Sequence, residues 1–304
     1  MIWVKPQQYF IEVSGLDSHP RYNSIRTTLI LVLILNLAVA LTKAGYGYLT
    51  NSVSMLADGF HSLFDGTSNV IGLAGIYIAS KPADLTHPYG HAKYETIASL
   101  GIGVLLSVTA IEIFMSAYHR IFSGTIPEVT TASFVIMLIT MAINLSVTTY
   151  EGRRGKQLKS ELLISDAKHT RSDIYVSLSV IASLVAVKLG FPLVDVVIAF
   201  IIAGIIGYMA ISVFKESSDV LCDARVIENH EIHAVVSKIS GVHESHAIRT
   251  RGKKSEVYVD LHIVVDPKLN VDKAHDIASK VEEEVKKSFP DITDVLVHVE
   301  PHEH

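Results

Sequence analysis

Six apolar runs, each long enough to cross a hydrocarbon core as a helix, constrain this chain more than any other feature. Crossing roughly 30 Å of hydrocarbon takes about 20 helical residues. The runs lie at approximately 25–48, 55–80, 95–119, 129–150, 164–188 and 193–214. The fourth is the cleanest, with no charge from Val129 to Tyr150. The first contains Lys43, the third Glu112, and the second and fifth several ionisable groups. A charge at the centre of a span costs about 2.5–3.5 kcal/mol on insertion scales, so the retained ones need a purpose.

Residues 1–23 are polar and mixed, with neither a basic leading region nor a compact apolar segment, so the first run is expected to stay as a span. Basic residues flank the spans unevenly. Lys81 and Lys93 lie between runs 2 and 3, Arg153, Arg154, Lys156 and Lys159 between runs 4 and 5, and Arg21 and Arg26 before run 1. Basic loops stay on the cytoplasmic side. Both termini are therefore expected in the cytoplasm of a multi-pass cell-membrane protein.

Charge is just as unevenly spread along the chain. The first 215 residues hold 28 Asp, Glu, Lys and Arg, and the last 89 hold 29. This predicts a cytoplasmic N-terminal segment over 1–23, a six-helix transmembrane domain over 24–215 and a water-soluble cytoplasmic domain over 216–304. The tail carries 11 basic and 18 acidic residues, which argues against a nucleic-acid partner held by its phosphates. A single cysteine, Cys222, excludes a disulfide scaffold, and the 49% apolar content excludes a disordered chain.

In the tail, Val226–Ile239 has helical apolar spacing and ends at Gly241. His246–Arg251 and Glu256–Val265 read as strands around a Gly252-Lys253-Lys254 turn, with Val257, Val259, Leu261 and Ile263 on one face of the second. An amphipathic helix over Val271–Phe289 and a strand over Ile292–Val299 complete an αββαβ order. The expectation is an open-faced α+β sandwich of about 85 residues, small enough that dimerisation or membrane attachment would help it.

The chemistry sits in repeated spacings. Run 2 holds Asp58-x-x-His61-x-x-x-Asp65, and run 5 holds Asp166-x-x-His169-x-x-x-Asp173. Residues four apart lie one turn apart on a helix face, so each span can present one imidazole and one carboxylate to a common point. Two nitrogens and two oxygens make a tetrahedral set suited to Zn²⁺. Ionisable residues inside spans mark functional sites by default. Asp58 and Asp166, a turn nearer the start of each run, are open to a role as pathway carboxylates, helix-end charges or partners of the ligands.

Two further groups can bind metal. Asp84, His87 and His91 fall in a short loop with prolines and a glycine that let it fold around an ion. The tail holds nine of the fifteen histidines. Of these, His246, His262, His275 and His298, with Glu300, are candidate ligands, and residues 298 and 300 share a strand face.

Together, ADGFHSLFD, PADLTHPYGHAKYE, SDAKHTRSD and GVHESHAIRTR resemble the cation diffusion facilitator family, in particular its bacterial zinc/proton antiporters. The resemblance runs from about Arg26 to Glu300. It implies a homodimer in the bilayer, each protomer with six spans and a cytoplasmic metallochaperone-like α+β domain. It also implies a transport site of His61, Asp65, His169 and Asp173, a loop site of Asp84, His87 and His91, and a binuclear tail site of His246, His262, His275, His298 and Glu300. Lys93 and Asp223 match positions that form an ion pair near the membrane surface. His61 replaces an aspartate found in many bacterial members, which makes the site softer and less hospitable to Cd²⁺ or Mn²⁺. Glu300 replaces an expected aspartate. No histidine lies between Glu151 and Ser165, as in the simpler prokaryotic members.

The resulting expectation is a secondary transporter, not an enzyme, that exports Zn²⁺ against protons, with zinc also acting on the tail domain. Transport of iron, cobalt, nickel or cadmium, or a non-transporting sensor or scaffold, are the alternatives. A membrane metallohydrolase is disfavoured because four protein ligands leave no open coordination position and no HExxH occurs.

Overall fold

A computed structural model describes residues 20–49, 62–63, 66–123, 131–188 and 192–302. Long helices dominate the first part: α1 (Pro20–Leu49), α2 (Thr67–Ala79), α3 (Lys93–Ser123), α4 (Thr131–Gln157), α5 (Glu161–Lys188) and α6 (Pro192–Leu221). Each coincides with one of the six apolar runs. Among the described residues, four stretches are individually long and apolar enough to span a membrane: Pro20–Tyr46, Lys93–His119, Phe134–Gln157 and Val196–Leu221. The described part of the second run, Thr67–Ala79, is apolar but short. The first half of α5 carries Glu161, Asp166, Lys168, His169, Arg171 and Asp173, and its second half is apolar. Of these, His169 and Asp173 belong to the predicted transport site.

Two apolar clusters hold the helices together. Ile25, Leu29, Ile76, Ala98, Ile102, Leu162 and Leu163 join α1, α2, α3 and α5. Leu106, Ile202, Ile206, Ala210 and Val213 join α3 to α6. Close approach is set by small residues: a Cβ on Gly75 would lie 2.3 Å from that of Ala98, so α2 and α3 touch there. Leu31, Ile34, Leu41, Ile111, Ile139, Leu145, Ile201 and Ile211 point outward. An exposed apolar belt of that extent suits lipid rather than water.

The tail has α7 (Asn229–Val236), β1 (Glu244–Lys253), β2 (Glu256–Val265), α8 (Val271–Ser288) and β3 (Ile292–Pro301). The sheet order is β1-β2-β3, with β2 antiparallel to β1 and parallel to β3. Val257, Val259, Leu261, Ile263 and Val265 form the buried face of β2 against Ile232 and Val236 of α7 and Val281 and Val285 of α8. The opposite face carries Tyr258, Asp260 and His262 and is left open by the helices. This is the expected αββαβ sandwich. α6 continues to Leu221, a turn beyond the change of composition near residue 216.

Contacts between the tail and the helical bundle concentrate at the β1–β2 hairpin. Gly252 has φ of +108°, and a Cβ there would come within 2.4 Å of the Glu256 carbonyl oxygen. Only glycine fits that turn, and it directs Lys253 into the bundle. Lys253 donates to the Ala92 carbonyl over 3.1 Å and to Glu95 over 2.6 Å. Nearby, Arg251 lies over the Tyr89 ring, 5.2 Å from its centroid, and Lys159 of the α4–α5 turn pairs with Asp291.

Candidate metal centres

His169 is buried on α5, and Asp173, one turn further on, is half-buried. The i, i+4 spacing puts both on one stripe of the helix, as predicted. Their expected counterparts, His61 and Asp65, lie outside the described residues, as does Asp58. Asp166 is fully buried one turn before His169 and accepts a hydrogen bond from the Asn69 amide of α2. Asn69 in turn accepts from the Asn36 amide of α1 over 2.9 Å. Three helices are thereby tied to one carboxylate. Neither asparagine stood out in the sequence; their signal was amide side chains recurring inside apolar runs.

The loop between α2 and α3 brings Asp84, His87 and His91 together. One possible ligand atom from each lies within 4.8 Å of the others. His87 Nδ1 is 3.5 Å from Asp84 Oδ1, His91 Nε2 is 3.4 Å from Asp84 Oδ2, and the two imidazole centroids are 4.4 Å apart. Asp84 is also held by its own loop, accepting from the Thr86 hydroxyl at 2.7 Å and from the backbone N–H groups of Thr86 and His87 at 2.8 and 2.7 Å. The Thr86 hydroxyl, then those backbone donors, keep its carboxyl well below the usual carboxylate range. An anion so fixed, with two imidazoles beside it, is the donor chemistry of a zinc site. His91 Nδ1 lies 3.1 Å from the Pro82 carbonyl, which leaves Nε2 facing the cluster.

In the tail, pairing across the strands does the assembly. His246 lies opposite His262, and His262 opposite His298, so three histidines form a row across the sheet. A bulge between His246 and Arg249, with Ala247 at φ of +50°, sets His246 into that row. Glu300 reaches all three: 2.8 Å to His262 Nδ1, 3.1 Å to His246 Nε2 and 3.7 Å to His298 Nε2. Its carboxyl is pulled below the usual range by the hydrogen bond from His262, and further by His246 and His298. His246, His262 and Glu300 offer ligand atoms within 4.8 Å of one another.

His275 lies apart from these residues within one protomer. It is exposed on α8 and absent from the cluster. The reason is topological: α8 packs on the apolar face of β2, whereas His262 lies on the opposite, open face. Within one protomer the sheet stands between them.

Lys93, at the start of α3, and Asp223, just past the end of α6, form the expected ion pair at 3.0 Å. A stronger one was not foreseen. Glu95, with no exposed surface, is met by Lys253 at 2.6 Å and Arg21 at 3.0 Å and accepts from the Ser160 hydroxyl at 2.5 Å. Its partners lie 158, 74 and 65 residues away, which no spacing rule reveals.

Comparison with known proteins places these features in context. Residues 29–222 match the cation efflux transmembrane domain, and residues 225–302 the cytoplasmic domain of cation efflux proteins. Over 283 residues the chain is 32% identical to an uncharacterised transporter of Methanocaldococcus jannaschii, covering 91% of this chain and 98% of that protein. It is 34% identical over 273 residues to the manganese efflux system protein MneS of Bacillus subtilis, covering 87% and 91% respectively. With the cation-efflux pump FieF of Serratia proteamaculans it shares 28% identity over 257 residues, covering 84% and 85%.

Proposed function

The chain belongs to the cation efflux family of membrane transporters, and from that premise we propose that it exports zinc from the cytoplasm in exchange for protons through His61, Asp65, His169 and Asp173. As a family member it is a multi-pass transporter of divalent metal cations and not an enzyme. The observation carrying the site is the repeated His-x-x-x-Asp spacing on two apolar segments, with His169 buried and Asp173 half-buried one turn further along α5.

Metal ligation needs neutral imidazole and ionised carboxylate, so protons and metal compete for one set of atoms. When that set opens to the outside, protonation of His61 or His169 weakens ligation and releases the ion. Deprotonation on the cytoplasmic side restores it. Imidazole suits the exchange because its reference pKa is near 6.5.

The working unit is a homodimer with both termini in the cytoplasm. The tail, over about 216–304, binds zinc through His246, His262, His298 and Glu300 on the open face of its sheet. If that ion binds a closed dimer more tightly than an open one, cytoplasmic zinc biases the helices above. Asp84, His87 and His91 form a further zinc site in the loop between α2 and α3.

A second reading is manganese as substrate, favoured by the manganese efflux protein MneS among the relatives. Flux in proteoliposomes separates the possibilities. With an imposed pH gradient, the intact protein is expected to move zinc faster than manganese, and the double variant Asp65→Ala plus His169→Ala to move neither. Faster manganese flux would replace zinc as substrate; unchanged flux in the variant would remove the site assignment.

A further inference from the structure

Two carboxylates are wholly buried where α4 and α5 cross. A Cβ on Gly152 would lie 3.8 Å from that of Ala167, and one on Gly155 only 3.0 Å from Ile164, so the helices meet almost backbone to backbone. This closeness sets Glu151 of α4 beside Asp166 of α5, each at 0% exposure. Asp166 Oδ2 accepts from Asn69, which Asn36 holds in turn. Apart from each other, Glu151 and Asp166 Oδ1 have no hydrogen-bond partner among the described residues.

Buried carboxylates without donors are among the least favourable groups in a protein interior. Here two adjoin, and ionising both adds mutual repulsion. A cation between them removes both penalties. The three open atoms are all oxygens, the donor type preferred by hard divalent ions over the imidazole-loving ones. Without a cation the two carboxyls share a proton, and a divalent cation that displaces it meets two negative charges.

We propose that Glu151 and Asp166 form a second divalent-cation site inside the helical bundle, separate from the His169–Asp173 pair and selective for a hard ion of the Mn²⁺ class. Asn69 is a positioning residue: it donates to Asp166 Oδ2 and fixes that carboxyl beside Glu151. Asp166 precedes His169 by three residues, about 4.5 Å along the helix axis, on the side of the bundle that meets the tail. An ion passing between the tail side and His169 would stop there. That transit role rests on the transport reading above; binding at the pair does not.

The test is Mn²⁺ binding to the full-length protein in detergent, by equilibrium dialysis for stoichiometry and by the signal of free Mn²⁺ in electron paramagnetic resonance for affinity. Glu151→Gln and Asp166→Asn are each expected to lose one Mn²⁺ per chain. Metal-free Glu151→Gln should melt no lower than the intact protein, because the amide can donate to Asp166 where the pair otherwise shares a proton, and Mn²⁺ should raise its Tm less. Glu151→Asp keeps the charge with shorter reach and is expected to fold and bind Mn²⁺ at least tenfold more weakly. Unchanged stoichiometry in both amide variants, or unchanged affinity in Glu151→Asp, would overturn the proposal and leave the pair neutralised by a shared proton. Asp173→Ala serves as the contrast. It should keep this Mn²⁺ and lose one Zn²⁺ per chain; if Asp173→Ala keeps its full Zn²⁺ stoichiometry, the transport-site assignment fails while this one stands.

Discussion

Lys253 reaches from the tail into the helical bundle to within 2.6 Å of Glu95, and the two side chains are 3% and 0% exposed. Arg21 approaches the same carboxylate from α1 at 3.0 Å. One buried anion thus joins the tail hairpin, the start of α3 and the first helix. The joint is also tied at its rim by Lys93 and Asp223.

Removing one partner from such a pair strands the other without compensation, a loss of ~3–5 kcal/mol in typical proteins. Lys253→Met should fall at the low end because Arg21 remains. The expected result is a lower Tm together with faster hydrogen exchange in the β1–β2 hairpin. Adding Glu95→Gln removes the stranded charge, so the double variant should be more stable than Lys253→Met alone. A double-mutant cycle measures this coupling.

Lys93→Ala tests a different contact. Both side chains of the Lys93–Asp223 pair are nearly half exposed, and pairs of that kind contribute ~0–1 kcal/mol. Its loss should leave the melting curve within that range. A larger fall would mean that the pair is more shielded in the assembled protein than in a single chain.

At the loop cluster, His87→Ala combined with His91→Ala leaves Asp84 as the sole ligand. Zinc stoichiometry should fall by one per chain, measured by metal analysis after dialysis. Asp84 keeps its loop donors, so the backbone there should stay ordered, with amide exchange unchanged.

The tail cluster gives a prediction in pH. Glu300 titrates below the usual range because of His262 first and the neighbouring histidines after it. A depressed carboxylate pKa adds stability above the unfolded value, about 4.3, and that contribution disappears as pH falls through the folded value. Metal-free protein should therefore lose this contribution only below roughly pH 4. Zinc binding should weaken earlier, as pH falls past about 6.5, where reference imidazole takes up its proton. Calorimetric titrations with zinc on either side of that pH check the order. His262→Ala should weaken tail binding at least tenfold, about 1.4 kcal/mol, because His262 lies between the other two histidines.

Much of this architecture is legible from local pattern. The apolar runs locate the helices, the alternation in Glu256–Val265 identifies the buried face of β2, and the short spacing of Asp84, His87 and His91 survives folding because a loop keeps near neighbours near. What escapes is what folding brings together from afar. Glu95 reads as one more polar residue at a helix start until Lys253 and Arg21 arrive. Glu151 sits one residue past the uncharged Val129–Tyr150 run and looks like a surface charge until Gly152 draws α5 over it. His275 shows the converse: it shares a domain with His262, but within one protomer the sheet lies between them. The bulge that sets His246 opposite His262 has no glycine to announce it.

The central claim is that metal leaves as protons enter, through one set of ligands. Its most direct test follows both ions in the same proteoliposomes, with a zinc indicator and a pH indicator trapped inside. Zinc uptake should be accompanied by proton release in fixed proportion, and both should vanish together in Asp65→Ala plus His169→Ala. Zinc movement without any accompanying pH change, in the intact protein, would contradict the account.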